Sequence, residues 1–274
     1  MRILTSILLI CFLSCSFAGN ENWHLGARSA GMAHASVTLS DVWSTHHNQA
    51  GLGWLDHSSA GVFFENRFGI SEFNQMGVAA STLLGPGSIG LSYSGFGWSS
   101  YMENKIGLGY GMKLNDKISA GVQVNYQSIQ QTSIYGTRAD VTAELGIQAK
   151  PTDQITIGVH VFNPYHPERG IQETTVVDNI PTIMRFGVGY QLSDKVLITC
   201  EAEKDIDFDG IFRAGFEYLP TEKFYVRGGI ATNPGIAAFG FGMKFDNFRA
   251  DLASTYHFVT GFSPQISLSY DFGK

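Results

Sequence analysis

The sequence predicts an all-β fold, a transmembrane barrel of about fourteen antiparallel strands with an N-terminal segment folded into its lumen. Three observations carry this prediction. Apolar residues alternate with glycine and polar residues over most of the chain, every second connection is a short turn, and aromatic residues gather beside those turns.

The alternation has the two-residue period of a strand with unlike faces. Ile106, Leu108, Tyr110, Met112 and Leu114 oppose Lys105, Gly107, Gly109, Gly111 and Lys113. Ile118, Ala120, Val122, Val124 and Tyr126 oppose Ser119, Gly121, Gln123 and Asn125, and Val141, Ala143, Leu145 and Ile147 oppose Asp140, Thr142, Glu144 and Gln148. Near the end Ile266, Leu268, Tyr270 and Phe272 oppose Ser267, Ser269 and Asp271. Such runs begin near Ala60, Met76, Ser88, Lys105, Lys117, Ala139, Gln154, Thr182, Val196, Ile211, Phe224, Ile236, Phe248 and Pro264. Most approach the ~9–11 residues that a tilted strand needs to cross a bilayer.

A soluble sandwich also alternates, so the connections decide. Gly85-Pro86-Gly87, Asn115-Asp116, Pro151-Thr152-Asp153, Ser193-Asp194, Pro220-Thr221-Glu222 and Asp246-Asn247 are compact and rich in turn formers. The intervening connections are mostly longer, notably Gln127–Arg138 and Asn163–Pro181. That asymmetry belongs to membrane barrels, whose short turns face the periplasm. Tyr190, Tyr218, Phe224, Phe245, Phe248, Tyr270 and Phe272 fall on the apolar face beside short turns or the C-terminus, where a ring of aromatics marks the membrane interface.

Composition agrees. Charged residues are 15% of the chain against ~25% in soluble domains, while glycine reaches 32 residues and aromatics 13%. No mature segment offers the ~18 unbroken apolar residues of a spanning helix, so strands must do the crossing. A net charge of −6 without any basic run excludes nucleic acid as a partner and leaves outer-membrane lipid as the first contact.

The first residues set the compartment. Arg2 precedes an apolar run from Ile3 to Leu13, and Ser16-Phe17-Ala18 puts small residues where a signal peptidase cuts. The expected organisation is a signal peptide over 1–18, a hatch over 19–57 and a barrel over 58–274, with export to the outer membrane. A second reading makes Leu13-Ser14-Cys15 a loose lipobox with Cys15 lipidated, although Phe12 stands where leucine is usual. Cleavage after Ala18 removes Cys11 and Cys15 and leaves Cys200 alone, which excludes an internal disulfide.

Opposite the apolar face lie Asp140, Glu144, Arg185, Glu201, Glu203, Arg213, Glu217, Arg227, Lys244, Arg249 and Asp251, the predicted lumen-facing charges. Buried charges require partners or water. Their alternating signs fit a salt-bridge network that anchors a plug better than a solute-selecting ladder of arginines.

Residues 26–55 do not alternate. Gly26-Ala27-Arg28, Gly31-Met32, Asp41 and Asn48-Gln49-Ala50-Gly51-Leu52 follow one another in a segment rich in small residues, and Ser40-Asp41 predicts the cap of a short helix ended by Gly51. This pattern resembles the start of barrels of the long-chain fatty-acid transporter (FadL-like) superfamily, and most of all its PorV/PorQ branch in Bacteroidetes-type bacteria, which serves type IX secretion. The resemblance implies fourteen strands, a hatch motif at Gly26, Arg28, Gly31, Met32, Asn48, Ala50, Gly51 and Leu52, and a lateral wall opening where the third strand is kinked, here at Gly95 and Gly97. Glycines at those two positions serve equally as an ordinary loop start. Two departures stand out: Gln49 replaces the proline of the family's Asn-Pro-Ala-Gly-Leu signature, and this chain's loops are shorter than those forming the fatty-acid entry groove.

Other chemistry finds little support. His34, His46 and His47 lack a Cys or carboxylate at ligand spacing, and Asp205, Asp207 and Asp209 lack the glycine and glutamate of a calcium loop, leaving a solvated loop or a weak cation site. Ser58 beside His57 is a bare dipeptide, and no glycine-rich phosphate loop follows a strand, so neither enzyme nor cofactor is indicated. Two functions lead, passive passage of a small hydrophobic ligand or a non-transporting barrel that binds envelope or secreted proteins, ahead of a general porin, for which no long constriction loop is evident. A continuous apolar tunnel favours the first, and a sealed, salt-bridged lumen counts against it.

Overall fold

The computed structural model describes residues 22–131, 136–165 and 180–273. The signal peptide, its cleavage after Ala18 and the Cys15 alternative lie outside these residues, as does most of the connection Asn163–Pro181.

Fourteen strands close into one antiparallel barrel in chain order. They are β1 Ser58–Asn66, β2 Asn74–Leu84, β3 Gly87–Trp98, β4 Tyr101–Asn115, β5 Ile118–Gln131, β6 Thr137–Ala149 and β7 Ile155–Phe162. The second half comprises β8 Ile183–Ser193, β9 Val196–Asp205, β10 Ile211–Thr221, β11 Phe224–Ala231, β12 Ile236–Phe245, β13 Phe248–His257 and β14 Gly261–Phe272. The seam is made by β1 and β14, paired from Ser58↔Phe272 to Glu65↔Gln265, so no strand edge remains open.

Register turns the alternation into two unlike surfaces. Leu91, Leu108, Val124 and Ala143 stand side by side on the outside, while Ser92, Gly107, Asn125 and Thr142 form the matching inner row. Outside, Leu108, Val124 and Leu252 are more than half exposed, whereas Gln123, Asn125 and Glu144 inside are fully buried. An outer surface of this kind is stable only in lipid, because burying such side chains is worth ~25 cal/mol per Å² of apolar area.

Turn chemistry closes the hairpins. Gly85 adopts φ +60° between β2 and β3, Asp246 turns with φ 49° between β12 and β13, and the Asn115 side chain accepts from the amides of Lys117 and Ile118 between β4 and β5. At this short-turn end Phe248, Tyr270 and Phe272 pack edge to face on the outside, and Phe224 stacks on Phe241. At the opposite end Tyr256 meets Phe258 and Phe262, a second aromatic group that the sequence reading did not single out. The β3–β4 connection at that end, Ser99-Ser100, is as tight as the turns opposite it.

Residues 22–57 fill the interior. Two single-turn helices, α1 (Ala27–Ala30) and α2 (Ser44–His47), are followed by a 3-10 turn over Gln49–Trp54. Their side chains are almost all buried, and Leu25, Val42 and Trp43 pack with Phe63 and Ala79 of the wall. The helix expected from Ser40-Asp41 to Gly51 is shorter. Asp41 Oδ1 accepts from the Trp43 amide at 2.9 Å in a turn ahead of α2. Asn48 ends α2 because it leaves helical geometry and accepts from the Ala50 amide, so Gly51 lies inside the 3-10 turn rather than at a helix end.

Candidate functional site

The candidate site is the lumen, where wall and N-terminal segment meet. Inward-facing glycines shape it. A Cβ on Gly121 would stand 2.5 Å from the Ala50 nitrogen, one on Gly229 2.7 Å from the Ala33 nitrogen, and one on Gly158 2.5 Å from the Val37 carbonyl. On Gly215 a Cβ would meet that of Met32 at 2.6 Å, and Gly240 faces the Cα of Gly31. Contacts under 3.0 Å are forbidden by hard-sphere repulsion, so any larger residue here would push the segment's own backbone off the wall. The alternation marks these glycines as lumen-facing; only the fold reveals that each seats a particular residue of the segment.

The motif residues occupy defined places. Gly26 adopts φ +94° directly against the Trp43 ring, the one motif position whose backbone demands glycine. Met32 and Leu52 are fully buried. Gly51 lies against Leu39 and Ser44, and Ala50 donates to Asn48 and accepts from the Ser119 hydroxyl at 2.8 Å. The Asn48 side-chain amide donates to the carbonyls of Val37, Ile147 and Val159, which ties the segment to itself and to two strands. Gln49, in the place of the signature proline, donates to Glu144 Oε2 at 2.8 Å.

Three charge clusters hold the segment. In the first, the Arg28 fork places Nη2 2.7 Å and Nε 3.0 Å from the two Glu217 oxygens and Nη1 2.9 Å from Asp41. Arg227 bridges Glu217 at 2.6 Å and Asp251 at 2.8 Å, and Arg249 reaches Asp251 at 3.1 Å and Glu217 at 3.4 Å. Three arginines thus meet three carboxylates, and the cluster is neutral. Burial alone would raise the Asp41 carboxyl, but Arg28 overcomes it and holds Asp41 below its ordinary value.

In the second, Glu144 accepts from Gln49, Asn125, Lys105 and His160. In the third, Glu201 Oε2 accepts from the Ser36 and Val37 amides at 2.7 and 2.8 Å. Its Oε1 stands 3.8 Å from both Arg185 and Arg213, and Arg213 also holds Glu203 at 3.0 Å. Asp140 pairs with Arg138 away from these clusters, and half-buried Lys244 stands opposite Arg249 near the short-turn end. Lys105, Asn125 and His160 were not singled out from sequence, since a polar residue at an inward position carries no mark of its partner.

His46 and His47 point apart, to the carbonyls of Val78 and Leu25. Burial lowers their imidazoles to about 3 and about 4, which leaves both neutral. Where the segment leaves the lumen, Lys113 and Lys150 lie 5.3 and 4.1 Å from the Trp54 ring centre.

At the opposite mouth Trp23 stacks on Phe96 at 4.6 Å, and Arg67 covers Trp23 at 4.0 Å. The cavity below, beside Glu103, Lys105 and Ile129, measures about 20 Å³, room for one water. Gly95 and Gly97 do not break the wall here: β3 pairs with β2 as far as Gln75↔Phe96 and with β4 as far as Trp98↔Tyr101, without a register shift. Gly97 takes φ +104° because the tight Ser99-Ser100 turn brings the Tyr101 carbonyl against it. Both glycines lie within paired β3, Gly95 opposite Met76 and Asn104 and Gly97 opposite Met102.

No protein-family profile matches the sequence, and no curated protein sequence is similar to it. The fold recurs in solved structures of FadL-like barrels. The CymD monoaromatic hydrocarbon channel superposes with a TM-score of 0.70 at 13% identity, covering 91% of this chain and 98% of that one. The Ralstonia pickettii toluene transporter TbuX gives 0.70 at 13%, covering 90% and 98%, and a Pseudomonas aeruginosa FadL homologue gives 0.68 at 13%, covering 93% and 100%. At such identity the likeness establishes the fold.

Proposed function

We propose that the chain is an outer-membrane barrel for passive passage of small hydrophobic compounds, with residues 19–57 acting as its hatch. The observation that carries this reading is the fold shared over at least nine-tenths of the chain with channels described as passing monoaromatic hydrocarbons and toluene. The aromatic mouth of Trp23, Phe73 and Phe96 suits a small apolar solute, and displacement of the segment is the step that admits it. Uptake of labelled toluene by cells of a Gram-negative host lacking its own hydrocarbon channels tests it. Faster uptake with the barrel than with an empty vector is expected, and equal rates overturn the reading.

A second reading rests on the packed lumen: a non-transporting barrel whose rim binds envelope or secreted proteins, in the manner the PorV/PorQ resemblance implies for type IX secretion. Chemical crosslinking in native membranes addresses it. Recovery of a stoichiometric envelope protein supports it, and recovery of the barrel alone overturns it.

A further inference from the structure

We propose that His24, Glu201 and Glu203 form a site for a divalent first-row transition ion such as Zn²⁺, which fastens the start of the lumenal segment to β9.

Among the described residues these three alone bring ligand atoms of His and carboxylate type within 4.8 Å of one another. Tetrahedral zinc with bonds of about 2.0–2.1 Å separates neighbouring ligand atoms by roughly 3.3–3.4 Å. His24 Nε2 already lies 3.4 Å from Glu203 Oε2, and the nearby Glu201 closes the triangle. His24 Nε2 is buried and faces Glu203 Oε2 across that 3.4 Å. Glu201 Oε1, on a side chain only 1% exposed, has no donor within hydrogen-bond distance, Arg185 and Arg213 standing 3.8 Å away. Buried polar atoms held only at such distances are under-satisfied, and a cation between them completes both at once.

The donor set selects the ion. One imidazole and two carboxylates suit zinc and its neighbours, whereas calcium and magnesium ask for more oxygens. Imidazole ligands are commonly fixed by their surroundings, and here the His34 ring lies 5.0 Å from His24, centre to centre. Arg213, forked on Glu203, and Arg185 supply the balancing charge without an ion, so they limit affinity while keeping the carboxylates in place.

The test is Zn²⁺ titration of the full exported barrel, purified in detergent and stripped with chelator, followed by competition with a chromophoric indicator. One saturable equivalent is expected, weakened at least tenfold by His24→Ala and by Glu203→Gln and unchanged by His46→Ala. Heat-modifiable migration in gels verifies that each variant is folded. A Co²⁺ spectrum of the parent barrel gives a second readout, with intense visible bands expected for a four-coordinate nitrogen and oxygen site. Absence of saturable binding, or binding indifferent to His24→Ala in a folded variant, overturns the proposal.

Discussion

Gln49 Nε2 lies 2.8 Å from Glu144 Oε2, a direct bond between the lumenal segment and the middle of β6. Glu144 also neutralises Lys105, 3.2 Å away, with both side chains buried. Removing one member of such a pair leaves an uncompensated charge, at a cost of ~3–5 kcal/mol. Glu144→Ala is therefore expected to lower the urea midpoint of the folded barrel clearly, and Lys105→Met combined with it to recover part of the loss. Equal midpoints for the parent and Glu144→Ala would remove Glu144 from the structural account.

Arg28 joins the wall to the segment through a two-pronged contact with Glu217 and a third bond to Asp41. Lysine carries the charge without the fork. Arg28→Ala should expose the segment to protease in detergent while β1 to β14 stay resistant, and Arg28→Lys should protect it only in part. Full protection in Arg28→Ala would show that packing alone retains the segment.

The wall glycines allow a steric test. Gly121→Val and Gly229→Val place branched side chains where the Ala50 and Ala33 backbones lie, and both are expected to raise single-channel conductance in planar bilayers. Gly210→Ala, whose added Cβ would stand 3.7 Å from the Glu203 carbonyl, should leave conductance at the parental level.

Acid should loosen the segment. Buried His46 and His47 titrate near 3 and 4 when docked, against 6.5 when released into water. Between these limits the released state binds more protons, so docking is fully stabilised above about pH 6.5 and weakens as pH falls toward 4, by up to ~1.4 kcal/mol per histidine for each unit. Protease sensitivity of the segment is expected to rise between pH 7.5 and 5 and to rise less in His46→Gln combined with His47→Gln.

Strand positions were legible because lipid and lumen impose opposite demands on neighbouring residues, as Leu108 and Gly109 illustrate. Predicted starts at Val196, Ile211, Phe224, Ile236 and Phe248 coincide with observed ones, since a compact turn precedes each or the apolar run begins abruptly. The third strand was harder. Glycines at 95 and 97 read the same whether they open a wall or shape a hairpin. Partnership inside the lumen was illegible: Gln49 and Glu144 are 95 residues apart, and nothing in either local pattern names the other. His24 passed unnoticed for the same reason, because its carboxylate neighbours arrive from β9.

The seam between β1 and β14 constrains how the molecule comes into being. Residue 57 leads straight into β1, and that strand becomes inaccessible from the side once Ser58 meets Phe272. The lumenal segment leads directly into this seam strand, so its place in the lumen and the closing pair are covalently linked. Its small residues and the matching hollows of the wall then act as a gauge of circumference: a barrel that closes with a strand missing has no place to put Met32, Val37 and Ala50 together.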